Sequence, residues 1–206
     1  MWGLEGAFLE KIAALPINTS AWDRLYHGSW GIELSAAFVL IVIGRGSRIV
    51  LYYCVTLIVL FYIGRLLGVL NPVRGPAFFR PDIFAYLDGS ATGDAMRMIV
   101  KVMTLTPDQA KHSGGILLGG VSAMPSLHVA MVAVTAYWLA FAARWTLWIT
   151  IPWVLLVWTS TVVLGWHYIL DGVGGVALGA MCVWITMTLL SALDRDELPR
   201  KAGYPI

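Results

Sequence analysis

Charged side chains are scarce in this chain. Asp, Glu, Lys and Arg make up 13% of its 206 residues, against about 25% in soluble domains. They nearly balance, and the net charge of +2 is too small to hold a nucleic-acid backbone, so no nucleic-acid partner is expected. Cysteine is scarcer still. Cys54 and Cys182 both fall inside apolar runs, which excludes a disulfide framework and makes both packed side chains. No His-Glu-x-x-His and no tight set of His, Cys and acidic residues at ligand spacing occurs. No metal site and no cofactor is therefore expected. Internal repeats and low-complexity runs are lacking as well.

What the chain has instead is apolar length. It is 59% hydrophobic, with 10 Trp and 8 Tyr, the composition of a membrane protein. Five apolar runs are expected to be transmembrane helices: 30–44, 48–70, 121–143, 146–166 and 172–193. Gly44-Arg45-Gly46 stops the first, and Pro152 is expected to bend the fourth. Trp138, Trp145, Trp148, Trp153, Trp158, Trp166 and Trp184 read as lipid-facing or interfacial anchors. Residues 1–15 carry Glu5, Glu10 and Lys11 between apolar side chains. That stretch is too short and too charged to span, and it reads as an interfacial helix within an N-terminal segment 1–28. The expected fold is all-α: one domain over 1–206, an integral membrane bundle of five or six transmembrane helices with that interfacial helix in front.

The long polar stretch is 71–120, punctuated by Asn71-Pro72, Gly75-Pro76, Arg80-Pro81 and Asp88-Gly89. Within it, 94–105 is expected to form a short amphipathic helix through Met96, Ile99, Val100 and Met103. A structureless loop of this length is unusual, so an extramembrane cap is expected. Asp88, Asp94 and Asp108 there read as water-facing.

Counting spans places chemistry. Helices alternate direction, so the end of the second run, the starts of the third and fifth, and the end of the fourth share one face. That brings Arg74, Arg80, His128, His167 and Asp171 together. The short loops of the opposite face hold Arg45, Arg48 and Arg144, and the tail holds Arg195, Arg200 and Lys201. Basic short loops mark the cytoplasmic side, so the site is expected on the extracytoplasmic face of a multi-pass protein.

His167 and Asp171 are four apart, one helical turn if a helix holds both. A carboxylate beside an imidazole fixes its tautomer and leaves the other nitrogen a better nucleophile or base. A polar pair that merely fixes helix packing is the plain alternative, but ionisable residues within a bilayer are costly and usually functional. His128 closes Pro125-Ser126-Leu127-His128. Pro125 suits a first helical turn, Ser126 would open an anion-binding helix N-terminus, and His128 is placed to protonate a leaving oxygen. Arg74 and Arg80 are candidate phosphate clamps, because guanidinium forks match phosphate oxygens. His27 and His112 have no partner at useful spacing and read as loop or interface residues.

Pro125-Ser126-Leu127-His128, with Ser160-Thr161, five residues, His167-Tyr168 and then Asp171, resembles the type 2 phosphatidic acid phosphatase superfamily over roughly residues 70–190. The resemblance implies that His167 is the nucleophile forming a phosphohistidine. It makes Asp171 its activating partner, His128 the acid, and Ser126 with Ser160 and Thr161 part of the phosphate-holding set. It also implies metal-independent chemistry. Two positions depart from the pattern. The family's first motif ends on Arg80-Pro81, but its Lys position is Val73, with Arg74 one residue away. The third motif's Arg is Thr161. The Ser-Thr and His-Tyr pairs look more like the branch of inositolphosphorylceramide synthase and sphingomyelin synthase.

The expected function is therefore phosphoryl transfer on a lipid phosphate or phospholipid within the bilayer. One outcome is lipid phosphatase activity; the other is transfer of a phospho-head group to an alcohol or lipid acceptor. The alternative is a transporter or structural membrane protein carrying an inactive copy of the site.

Overall fold

The computed structural model describes residues 2–44, 47–103 and 122–197, and among these there is no strand. Among the described residues eight α-helices follow one another: α1 (Trp2–Ala13), α2 (Thr19–Ile43), α3 (Ser47–Leu70), α4 (Pro76–Phe79), α5 (Ala91–Met103), α6 (Leu127–Ala142), α7 (Leu147–Val163) and α8 (Ile169–Glu197). Arg45, Asp108, Lys111, His112, Arg200 and Lys201, with the 104–120 part of the polar stretch, lie outside the described residues.

The first long helix starts eleven residues earlier than its hydropathy suggests. Asn18 caps it by accepting from the Ala21 N–H at 3.1 Å. Asp23, Ser29 and Glu33 dilute the apolar signal, yet with Tyr26, Ala36 and Leu40 they form the buried stripe of α2. Their spacing of three to four keeps them on one face. The polar members are turned inward and hydrogen-bonded, so they do not end the helix. Residues 19–28 therefore belong to this helix. At 25 residues, about 38 Å long, α2 exceeds the roughly 30 Å hydrocarbon layer. Its first turns stand on the side where the site forms.

Among the described residues four helices are long and apolar enough to cross a membrane: Thr19–Ile43, Arg48–Leu70, Arg144–Val163 and Ile169–Ala192. The expected span at 121–143 is a helix of only 16 residues, Leu127–Ala142, because Ser122–Pro125 are taken up in non-helical ties to neighbouring segments. Short as it is, α6 is the hub, packed against α2, α3, α7 and α8. The core around it gathers Leu40, Tyr53, Leu60, Val134, Trp138 and Leu178. Trp138 is thus no lipid anchor. It is almost fully buried, and its indole N–H donates to Thr56 Oγ1 at 3.2 Å. Trp148 and Trp184 do face outward. Cys182 is buried, but Cys54 is exposed on the helix surface, contrary to the packed role expected for it. The α7 helix runs continuously through Pro152.

A second core lies at one end of the bundle. Leu9 of α1, Tyr26 of α2, Ala77, Phe84 and Leu87 of the 76–87 segment, Met96 of α5 and Leu164 pack together there. The helix α1 is therefore seated on the cap through Leu9. Asp23 locks the cap to the bundle: its carboxylate accepts from the Ala91 N–H at 3.1 Å and from the Thr92 hydroxyl, at the start of α5. Asp88 and Asp94 both pair with Arg97.

Candidate active site

Backbone geometry sets His167 before any side chain does. As α7 ends, Gly165 takes φ +70°, a left-handed turn that glycine adopts without strain. The next two amides, Trp166 N and His167 N, both donate to the Thr161 carbonyl, at 3.0 and 3.2 Å. The chain is folded back on the end of its own helix. The 75–77 segment lies directly on this turn: Ala77 N donates to the Gly165 carbonyl at 3.1 Å. A Cβ on Gly75 would strike the Trp166 carbonyl, so only glycine permits this approach.

Three ties then join distant stretches. Ala123 N donates to the Val73 carbonyl at 2.6 Å, and Ser126 N donates to the Asp171 carbonyl at 3.0 Å. His167 Nδ1 meets the Ala123 carbonyl at 2.6 Å. A carbonyl only accepts, so that nitrogen carries the proton. In the neutral ring Nε2 is then left with its lone pair. A backbone carbonyl, and not the carboxylate expected to do so, fixes the tautomer of His167. Asp171 Oδ2 lies 3.8 Å from His167 Nδ1, beyond hydrogen-bond range. Its nearer partner is the Tyr168 N–H, at 2.7 Å. His167 also precedes α8, so the pair does not share a helix face. Asp171 is the first-turn acid of α8 and reaches back to the residue before the helix, as in a capping box. From there it still places negative charge beside the ring.

His128 is held from the other side. Trp30 Nε1 donates to His128 Nε2 at 2.6 Å, and the rings meet edge to face at 5.1 Å. Tyr26 stacks on the same imidazole with centroids 4.0 Å apart. An indole N–H only donates, so His128 here accepts on Nε2 and carries its proton on Nδ1. His128 and His167 both line one cavity of about 270 Å³, together with Arg65, Trp166 and Ile99 of the cap helix. The structure thus brings His128 together with His167 and Asp171, from two separate stretches of chain.

A family model described as the PAP2 superfamily matches residues 18–185. The chain belongs to the PAP2 superfamily. Membership points to a phosphatase or phosphotransferase acting on phosphate esters, in a superfamily that is generally enzymatic. The match reaches from the cap of α2 into α8 and does not single out the inositolphosphorylceramide or sphingomyelin synthase branch. No curated protein and no solved structure matches the chain.

The other PAP2 motif positions lie differently from expectation. Pro125 is not in the first helical turn. Ser126 is the N-cap of α6, with Oγ accepting from Val129 N at 3.4 Å, and Pro125 precedes it. Ser126, Ser160 and Thr161 are all fully buried. The Ser160 and Thr161 hydroxyls donate to the Val157 and Trp158 carbonyls of their own helix, at 2.6 and 2.7 Å. None of the three lines the cavity. Arg80 forks onto Asp82, at 2.9 and 2.7 Å, a pairing that raises the guanidinium pKa and lowers that of the carboxyl. Neither Arg80 nor exposed Arg74 lines the cavity.

The guanidinium that does line it is Arg65, set over the Phe61 ring at 5.0 Å. It escaped the sequence reading, although it is the one charged residue between Arg48 and Arg74. A lone ionisable residue in an apolar run is itself a signal of function. Tyr26 and Trp30 carry no comparable signal, because aromatic residues at a membrane boundary are ordinary. His27 bonds the Asp23 carbonyl on its own helix at 2.8 Å. Among the described residues no group of three or more His, Cys, Asp or Glu is placed to hold a metal ion.

Proposed function

We propose that this PAP2 protein transfers phosphoryl groups on lipid phosphates through a phosphohistidine at His167 Nε2. The observation that carries the reading is the bond from His167 Nδ1–H to the Ala123 carbonyl, which leaves Nε2 unprotonated in a cavity shared with a second histidine. In the first step Nε2 attacks phosphorus, and a P–N bond forms as the ester P–O bond breaks. The leaving oxygen takes a proton from His128. Water or an alcohol then attacks the phosphorus and passes its proton back to His128 as the P–N bond breaks. The negative charge of Asp171 beside the ring favours the cationic histidine that develops on attack. His128 must enter the first step protonated. The Trp30 N–H then has no lone pair to meet, so Trp30 gives way when phosphate arrives.

Between hydrolysis and transfer, one observation favours transfer. Arg65 is the only Lys or Arg lining the cavity among the described residues. A phosphodiester carries one negative charge and asks for fewer cations than a monoester dianion. The substrate is a lipid phosphate or phospholipid, the acceptor an alcohol or lipid, and no metal takes part. The site opens on the extracytoplasmic face, a reading supported by Arg48 and Arg144 at the opposite end of the bundle.

The test is to incubate purified protein with lipid phosphomonoesters and phosphodiesters, with and without alcohol acceptors, and to follow free phosphate and lipid products by mass spectrometry. Turnover is expected to fall about 10²–10⁴-fold or more in His167→Ala, and an acid-labile phosphoenzyme is expected in the wild type alone. Near-normal activity in His167→Ala would overturn the nucleophile. Free phosphate from a monoester would make the protein a phosphatase, and a new phospholipid formed only with acceptor would make it a transferase.

A further inference from the structure

The acid of the proposed reaction has a partner that the reaction must remove. His128 Nε2 accepts the Trp30 indole N–H at 2.6 Å, with the two rings edge to face. A nitrogen lone pair holds one hydrogen at a time. While the indole is there, Nε2 takes no proton, and His128 can give none from that atom.

The two aromatic partners of this imidazole differ in freedom. Tyr26 is 9% exposed and belongs to the second core, stacked on both His128 and Trp166. It is fixed. Trp30 is 42% exposed. On α2 it stands between Gly28 and Gly31, and a Cβ on either glycine would meet nothing within 4 Å. The helix surface beside the indole is open, so the indole has room to change rotamer without moving α2. Trp30 also lines the cavity of His128 and His167, where an occupant meets it directly.

The groups that bear on the charge of His128 are His27 of α2, Arg65 of α3, and His167 with Asp171 behind it. The guanidinium favours a neutral His128 in an empty cavity, and a phosphate anion favours a charged one.

We propose that Trp30 is a latch on His128: it holds the imidazole neutral while the site is empty and swings aside for a phosphate group, so that the acid is charged only with substrate in place. The proposal rests on His128 acting as the acid. As the indole N–H leaves Nε2, a proton from solvent takes its place, and the new N–H donates to a phosphate oxygen. Trp30 is thus a positioning residue whose own bond opposes substrate binding.

The test uses the full-length protein in detergent, labelled with ¹⁵N-histidine, with inorganic phosphate as the probe. His128→Gln identifies the His128 resonances. In the empty wild type one ring nitrogen is expected to be protonated and the other to accept a hydrogen bond. Saturating phosphate is expected to move both into the protonated range. Trp30→Phe keeps an aromatic ring and removes the donor. It is expected to bind phosphate about fivefold more tightly, a ratio equal to about 1 kcal/mol and the order of one net hydrogen bond. A merely structural Trp30 would leave the variant binding equally or more weakly, and either result would overturn the latch. So would His128 resonances that phosphate leaves unchanged in the wild type, a readout that needs no variant at position 30. Both measurements are repeated in His167→Ala, where no phosphoenzyme forms, so the latch and the nucleophile fail separately.

Discussion

At the scale of single residues, the two histidines are held by different kinds of partner. His167 answers to a backbone carbonyl, which no side-chain substitution removes. His128 answers to Trp30 and Tyr26, which are replaceable. The cation is the residue most open to test. A charge-assisted hydrogen bond contributes about 1.5–3 kcal/mol, so Arg65→Ala is expected to lower kcat/KM roughly 10–150-fold, with Arg65→Lys between. Arg80→Ala is expected to cost less, because Arg80 is engaged with Asp82 away from the cavity. Steady-state kinetics on a short-chain substrate decides the order. A larger loss in Arg80→Ala would mean that Arg80 leaves Asp82 for the phosphate and that the family's first motif acts as its sequence implies.

At the scale of elements, the cap helix α5 is joined to the site through one buried acid. Asp23 takes the Ala91 amide and the Thr92 hydroxyl, while Ser90 takes the Gly93 amide at 3.0 Å. Together they satisfy donors at the start of α5 that the helix cannot satisfy itself. Losing such a cap costs about 0.5–2 kcal/mol. Because Ile99 of α5 lines the cavity, Asp23→Ala is expected to raise KM more than it lowers kcat, with a modest fall in Tm. An unchanged KM in a folded variant would show that α5 does not shape the site. The turn at Gly75 is less forgiving. A methyl there meets the Trp166 backbone, next to His167, so Gly75→Ala is expected to depress kcat while leaving Arg80 and Asp82 in place. Wild-type kcat in that variant would argue against the tie as the determinant of His167 geometry.

At the scale of the whole molecule, helix ends from α2, α3, α6, α7 and α8 meet at one end of the bundle, which fixes a single facing for the site. Asp82→Cys and Arg144→Cys, placed at opposite ends, are expected to react with a membrane-impermeant maleimide from opposite sides of a sealed vesicle. Asp82→Cys is expected to label from the extracytoplasmic side. Reversed labelling would put the chemistry on the cytoplasmic face. Turnover is expected to survive EDTA unchanged, and a loss restored by a divalent ion would sink the metal-independent reading.

Composition and spacing alone determined that the chain is helical with apolar helices long enough to cross a membrane, and made His128, His167 and Asp171 its candidate chemical residues. Apolar run length reports helices directly, and two spaced motifs are local in sequence. Boundaries were legible only where polarity and burial agree. In α2 they disagree, since Asp23 and Glu33 look like solvent-facing charges and are buried partners, so the helix began earlier than its hydropathy. Contacts between distant segments decided the rest. That Ala123 and not Asp171 orients His167, that Trp30 covers His128, and that Arg65 rather than Arg80 lines the cavity all depend on which helix ends meet. Those meetings are set by packing across tens of residues, and no local pattern records them.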